Sequence, residues 1–141
     1  MIALRLITLL VVCAALPAQV ATSTRIGQGC RTLSSPLSYS VGRPVIGKPL
    51  TLRWMVTEPS TYSVAILFGP AARSTWNGCE LHLIPAVVLH VPLTVPRTAQ
   101  MSIPIPNDRA LIGVAISTQL LWSTARQADL SAAYALVMGD R

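Results

Sequence analysis

Glu80 and His82 stand two apart in Cys79-Glu80-Leu81-His82-Leu83, a spacing that on an extended strand turns both side chains to one face. A carboxylate beside an imidazole is the material of general acid–base chemistry. Such a pair needs an activated nucleophile, and none is evident from the spacing, so the expectation is a solvated strand face. The other acids, Glu58, Asp108, Asp129 and Asp140, fall mostly at turns or strand ends, and no two are spaced to share a face. His90 lies opposite a row of valine and leucine on its own strand, which marks a surface or inter-element histidine. Asn107-Asp108 follows Pro106 without the D-x-D-x-D array that would supply calcium with roughly six to eight oxygens. A turn in which Asn or Asp bonds its own backbone is expected there. No catalytic set, metal site or cofactor is expected.

Three tryptophans offer a different chemistry, since indole faces stack on sugar rings. Trp54 and Trp122 share parity with core-facing neighbours. Trp76, beside the Asn77-Gly78 turn and Cys79, is the one expected to be partly exposed, packed on a disulfide or paired with nearby Arg73 as a tentative ligand-binding site.

The cysteines bear on compartment. Residues 1–21 have the form of a secretory leader: Arg5 in a short basic start, then an apolar run over 6–16 of about 11 residues, then Pro17 and small residues. That run is too short to span a bilayer, so no stable membrane span is expected after cleavage. The expected cleavage lies near Ala21, although Gln19 then occupies the −3 position. An anchor through Cys13 is not expected, because Val12 stands where a lipobox needs a small residue. Losing Cys13 with the leader leaves Cys30 and Cys79, and an even pair in an exported domain favours a disulfide. A reactive thiol would need an activating base, and zinc would need four ligands where only His82 and His90 could help.

The elements that must carry these residues are strands. Leu50, Leu52, Trp54 and Val56 alternate with Thr51, Arg53 and Thr57, and Tyr62, Val64, Ile66 and Phe68 repeat the pattern after a turn at 58–60. The segment 87–95 alternates too, but Pro85, Pro92 and Pro96 make it an edge strand or several short ones. Met101, Ile103 and Ile105 read as another strand, and 112–122 as a long one. The alanine-rich stretch 126–137 is open between helix and strand, with strand favoured. Residues 22–29 read as an extended lead-in. The fold expected over 22–141 is all-β: a single small antiparallel β-sandwich of about seven or eight strands after an N-terminal signal helix. An outer-membrane barrel would want longer strands and aromatic girdles.

Composition agrees. Of 141 residues 52% are hydrophobic and 11% charged, against about 25% charged in a typical soluble domain. The formal net charge is +6, but the arginines are scattered along the chain, and nucleic acid is not an expected partner.

The order Gly27-Gln28-Gly29-Cys30, then Pro44-Val45-Ile46-Gly47-Lys48-Pro49-Leu50, Gly78-Cys79-Glu80-Leu81 and Ile103-Pro104-Ile105-Pro106-Asn107 resembles a secreted β-sandwich module of planctomycetes and related environmental bacteria. The resemblance implies a β-sandwich and a Cys30–Cys79 bridge, and no particular activity. The expected role is that of an exported, non-enzymatic structural or interaction domain, secreted or at the periplasm or cell surface, contacting an envelope protein or polysaccharide. The alternative is a small carbohydrate- or polyanion-binding module using Trp76 and Arg73. Contacts are expected from turns and strand ends at 58–62, 71–77 and 107–110.

Overall fold

The computed structural model describes residues 18–30, 37–57, 63–91 and 98–141. The expected leader as far as residue 17, the turn and strand end expected at 58–62, and the end of the proline-interrupted segment from 92 lie outside the described residues. Ten strands are described: β1 (Thr22–Arg25), β2 (Leu37–Val41), β3 (Pro49–Val56), β4 (Ser63–Gly69), β5 (Ala71–Trp76), β6 (Cys79–Leu83), β7 (Val87–Val91), β8 (Thr98–Pro104), β9 (Ala115–Ser123) and β10 (Ala128–Val137). All pair antiparallel. They form a five-stranded sheet in the order β1-β10-β9-β4-β7, a three-stranded sheet β2-β3-β8, and the hairpin β5-β6. The all-β sandwich expected from the sequence is the fold.

Strict alternation builds the three-stranded sheet. In β3, Leu50, Leu52, Trp54 and Val56 are buried while Arg53 and Met55 are exposed, so one face packs and the other meets solvent. The buried row meets Val64, Ile66, Leu120, Trp122 and Leu136 of the five-stranded sheet in the main core. Tyr39 and Tyr134 cross this core edge to face, with ring centres 5.8 Å apart. The Tyr39 hydroxyl meets Thr118 Oγ1 at 3.0 Å, and Tyr134 donates to the Tyr39 carbonyl at 3.0 Å.

The five-stranded sheet is covered on both faces, and its sequence says so. Val64, Ala65, Ile66 and Leu67 are all buried, as are Ser117, Thr118, Gln119 and Leu120. The outer cover is the β5-β6 hairpin: Leu83 and Cys79 pack with Cys30, Leu67 and Leu130 in a second, smaller core.

Three expectations change. The strand count exceeds seven or eight because β1 and β5, which lack apolar alternation, are recruited by pairing. Residues 71–76, expected as turn and strand end, are a full strand, because Ala71, Ser74, Thr75 and Trp76 pair with Leu83, Leu81, Glu80 and Cys79. Residues 22–25, expected as lead-in, are the edge strand beside β10. The alanine-rich stretch resolves as β10, and β7 is an edge strand.

Burial pushes the Tyr39 phenol well above its ordinary value near about 10, against the weaker opposing pull of its bond to Thr118. The folded chain therefore keeps this proton where the unfolded chain has lost it. The stability it contributes is complete below about pH 10 and is lost as pH rises beyond that. Tyr39→Phe is expected to flatten the loss of stability between about pH 9 and 11, read by urea unfolding at each pH. An unchanged alkaline slope would show that another group controls it.

Candidate functional site

Three different forces hold the hairpin on the sheet. A disulfide joins Cys30, just after β1, to Cys79 at the start of β6, 49 positions later. Leu81 and Leu83 bury apolar surface on Leu67, Leu121 and Leu130. Gln119, fully buried on β9, donates from Nε2 to the Glu80 carbonyl at 2.9 Å and to the Ser131 carbonyl at 2.8 Å, and accepts from the His82 amide at 3.1 Å. One amide side chain thereby ties β6, β9 and β10 together.

The chain after β1 completes the arrangement. Ile26 donates its amide to Ala133, and Cys30 donates to Leu130, on either side of an irregularity in β10. Within it, Ser131 Oγ accepts from the Leu120 amide at 2.9 Å. Gly29 has φ +71, and a Cβ there would overlap the Leu130 and Ser131 carbonyls, so the position requires glycine. Glu80 donates its amide to the Gly29 carbonyl at 3.3 Å, which seats the 26–30 segment against the hairpin.

Between this segment and the hairpin lies an open cleft of about 750 Å³. Arg25, Ile26, Gly27 and Gln28 line one wall, and Arg73, Glu80 and His82 the other. Glu80 sits at the centre. One carboxylate oxygen takes the Arg73 guanidinium at 3.2 Å and the other lies 3.3 Å from His82 Nε2. The Arg73 side chain is 76% exposed, so its pairing with Glu80 leaves most of its donors facing solvent. Arg25 turns its Nε to the Gly27 carbonyl at 3.4 Å.

Glu80 and His82 do share a face, as their spacing requires, and it lines the open cleft, with Glu80 partly exposed and His82 largely covered. His82 is only 8% exposed, and a Cβ at Gly27 would overlap its ring. The imidazole lies against the Gly27 backbone, with its Nε2 beside the Glu80 carboxylate. Among the described residues the lining contains no hydroxyl or thiol side chain.

The structure does not bring Trp76 and Arg73 together. Trp76 lies opposite Cys79, and Arg73 bonds Glu80, the next residue, so the two project from opposite faces of the hairpin. Trp76 is 40% exposed, whereas Trp54 and Trp122 are in the main core. His90 is exposed on β7. Asp108 caps the 3₁₀ turn Arg109–Leu111 by accepting from the Ala110 amide at 2.9 Å, the self-bonded turn expected of it. Sequence reasoning missed Arg25, Gln28 and Gln119. The signal for the first two was the glycine pair Gly27 and Gly29, which lets backbone lie directly against other groups.

A second cleft, of about 520 Å³, opens beside the disulfide, between Asn77-Gly78 and Arg126 to Asp129. The Cys30 and Cys79 sulfurs and an Asp129 oxygen lie within 4.8 Å of one another, but sulfurs joined in a disulfide are not thiolate ligands. The Asp129 carboxylate instead accepts from Gln127 at 2.8 Å. No helix among the described residues is long and apolar enough to cross a membrane. The chain matches no protein-family model and no curated protein.

Proposed function

We propose that this chain is an exported, non-enzymatic interaction domain of the cell surface or envelope, and that its cleft holds an acidic polysaccharide. The observation that carries the reading is the pair of guanidiniums, Arg25 and Arg73, on opposite walls of one open cleft with a single carboxylate between them. Guanidinium presents planar, paired donors that match carboxylate or sulfate. Openness suits a polymer that enters from the side, and the polar walls suit a hydroxyl-rich ligand. The disulfide accords with export.

The Glu80–His82 pair invites a hydrolytic reading. Against it stand the covered ring and a lining that, among the described residues, offers no hydroxyl or thiol. Nucleic acid is disfavoured because Trp76, the exposed indole, points away from the arginines.

The test is retention on an immobilised uronate or sulfated polymer. Arg25→Gln and Arg73→Gln are each expected to weaken binding about tenfold, the cost of losing one charge-assisted contact. Arg43→Gln, on an exposed loop away from the cleft, should leave it unchanged. Equal losses from all three would reduce the attraction to diffuse net charge.

A further inference from the structure

Residues 18–21, just before β1, are built into the folded domain. The Ala21 amide donates to the Arg141 carbonyl at 2.7 Å, and Ala21 is 1% exposed. Asp140 donates its amide to the Gln19 carbonyl at 3.0 Å, so the residues just before β1 are held by the chain that follows β10. Gly139 fits this contact so closely that a Cβ there would overlap the Gln19 carbonyl and the Ala21 amide. Gly139 is itself tied to the other sheet, since its carbonyl accepts from Ile46 at 2.9 Å and its amide donates to Pro44 at 3.3 Å. On the opposite side, Gln19 Oε1 lies over Gly113, whose amide donates to Met138. Residues 19–21 thus close the end of the sandwich where the two sheets meet.

From these contacts we infer that export processing leaves Gln19–Ala21 on the mature chain, and that the bond cut lies N-terminal to Gln19 rather than after Ala21. The inference rests on the reading of the chain as exported. Residue types agree with the geometry. Signal peptidases require small residues at −1 and −3. Cutting after Ala21 puts Gln19 at −3, whereas cutting after Ala15 puts Cys13 and Ala15 at the two positions. Hydrolysis of the Ala15–Leu16 bond adds one water, leaving a carboxylate on Ala15 and a new amino terminus on Leu16. Cutting after Ala18 would also spare the contact. Cutting after Ala21 would remove the Gln19 carbonyl that Asp140 bonds and turn the buried Ala21 amide partner of Arg141 into part of the discarded leader.

The experiment is to express the 141-residue chain with its own leader in a Gram-negative host and to measure intact mass and N-terminal sequence of the product recovered from periplasm and medium. A first residue at Leu16 or Gln19 is expected. A folded, exported product beginning at Thr22 or later would overturn the inference while leaving export intact. A product confined to the cytoplasm and still carrying residues 1–15 would overturn the export reading itself, and this inference with it.

Discussion

Replacing Cys30 and Cys79 together by alanine is expected to lower the unfolding free energy by about 4 kcal/mol, the largest effect of any change outside the main core. The estimate follows from the ring the bridge closes: its ends are 49 positions apart, and opening it returns that conformational freedom to the unfolded chain. Both residues are also buried in the small core with Leu67, Leu83 and Leu130. Alanine leaves this packing short of two sulfurs without adding a polar group. Urea titrations of the oxidised protein and the double variant would give the difference directly. The variant should also lose polymer retention, because Arg73 and Glu80 ride on the hairpin that Cys79 anchors. A loss below about 1 kcal/mol would mean that the unfolded chain is already constrained without the bridge.

Gln119→Ala should cost about 3 kcal/mol although it removes no charge and little apolar surface. Its amide makes two donor bonds and one acceptor bond to backbone groups on three strands. Removing it takes the Gln119 bond from the Glu80 carbonyl and leaves the Ser131 carbonyl and the His82 amide without it in a buried site, where each lost bond costs about 1–3 kcal/mol. Gln119→Met keeps the volume and should cost nearly as much, which separates hydrogen bonding from packing. Hydrogen exchange provides the local reading. The His82 amide should lose protection more than the amides of β3, whose ladder with β2 and β8 does not involve Gln119. Losses within about 0.5 kcal/mol for both variants would assign the hairpin's seating to the disulfide and leucines alone.

Much of the fold was legible because alternation has one physical cause. In β3 every second residue is large and apolar, and that row meets the opposite sheet. The core positions of Trp54 and Trp122 follow from the same parity, whereas the alanine-rich stretch 126–137 is open between helix and strand in the sequence and becomes strand through pairing with β1 and β9. What parity could not show was the second layer. Alternation predicts a half-buried strand for Val64 to Phe68, yet Ala65 and Leu67 are buried as well, Leu67 in the small core with the hairpin residues Cys79 and Leu83. β5 escaped notice because five of its six residues, in Ala71 to Trp76, are exposed or nearly so and owe their extended form to pairing with β6.

The same blindness affected the site. Glu80 and His82 were placed on one face correctly, but whether that face meets water depends on residues 26–30, more than fifty positions earlier in the chain and carried there by Cys30. Arg73 and Trp76 stand three apart in sequence, an odd step that strand alternation turns to opposite faces of the hairpin. Arg25 joined Arg73 only through the fold.

The most direct test of the account follows backbone amide resonances of the domain while an oligomer of a uronic or sulfated sugar is added. Shifts concentrated at Arg25 to Gln28 and at Arg73, Glu80 and His82, and abolished by high salt, are the predicted result. Shifts spread evenly over Arg43, Arg53, Arg109 and Arg126, with the cleft no different from the rest, would contradict it.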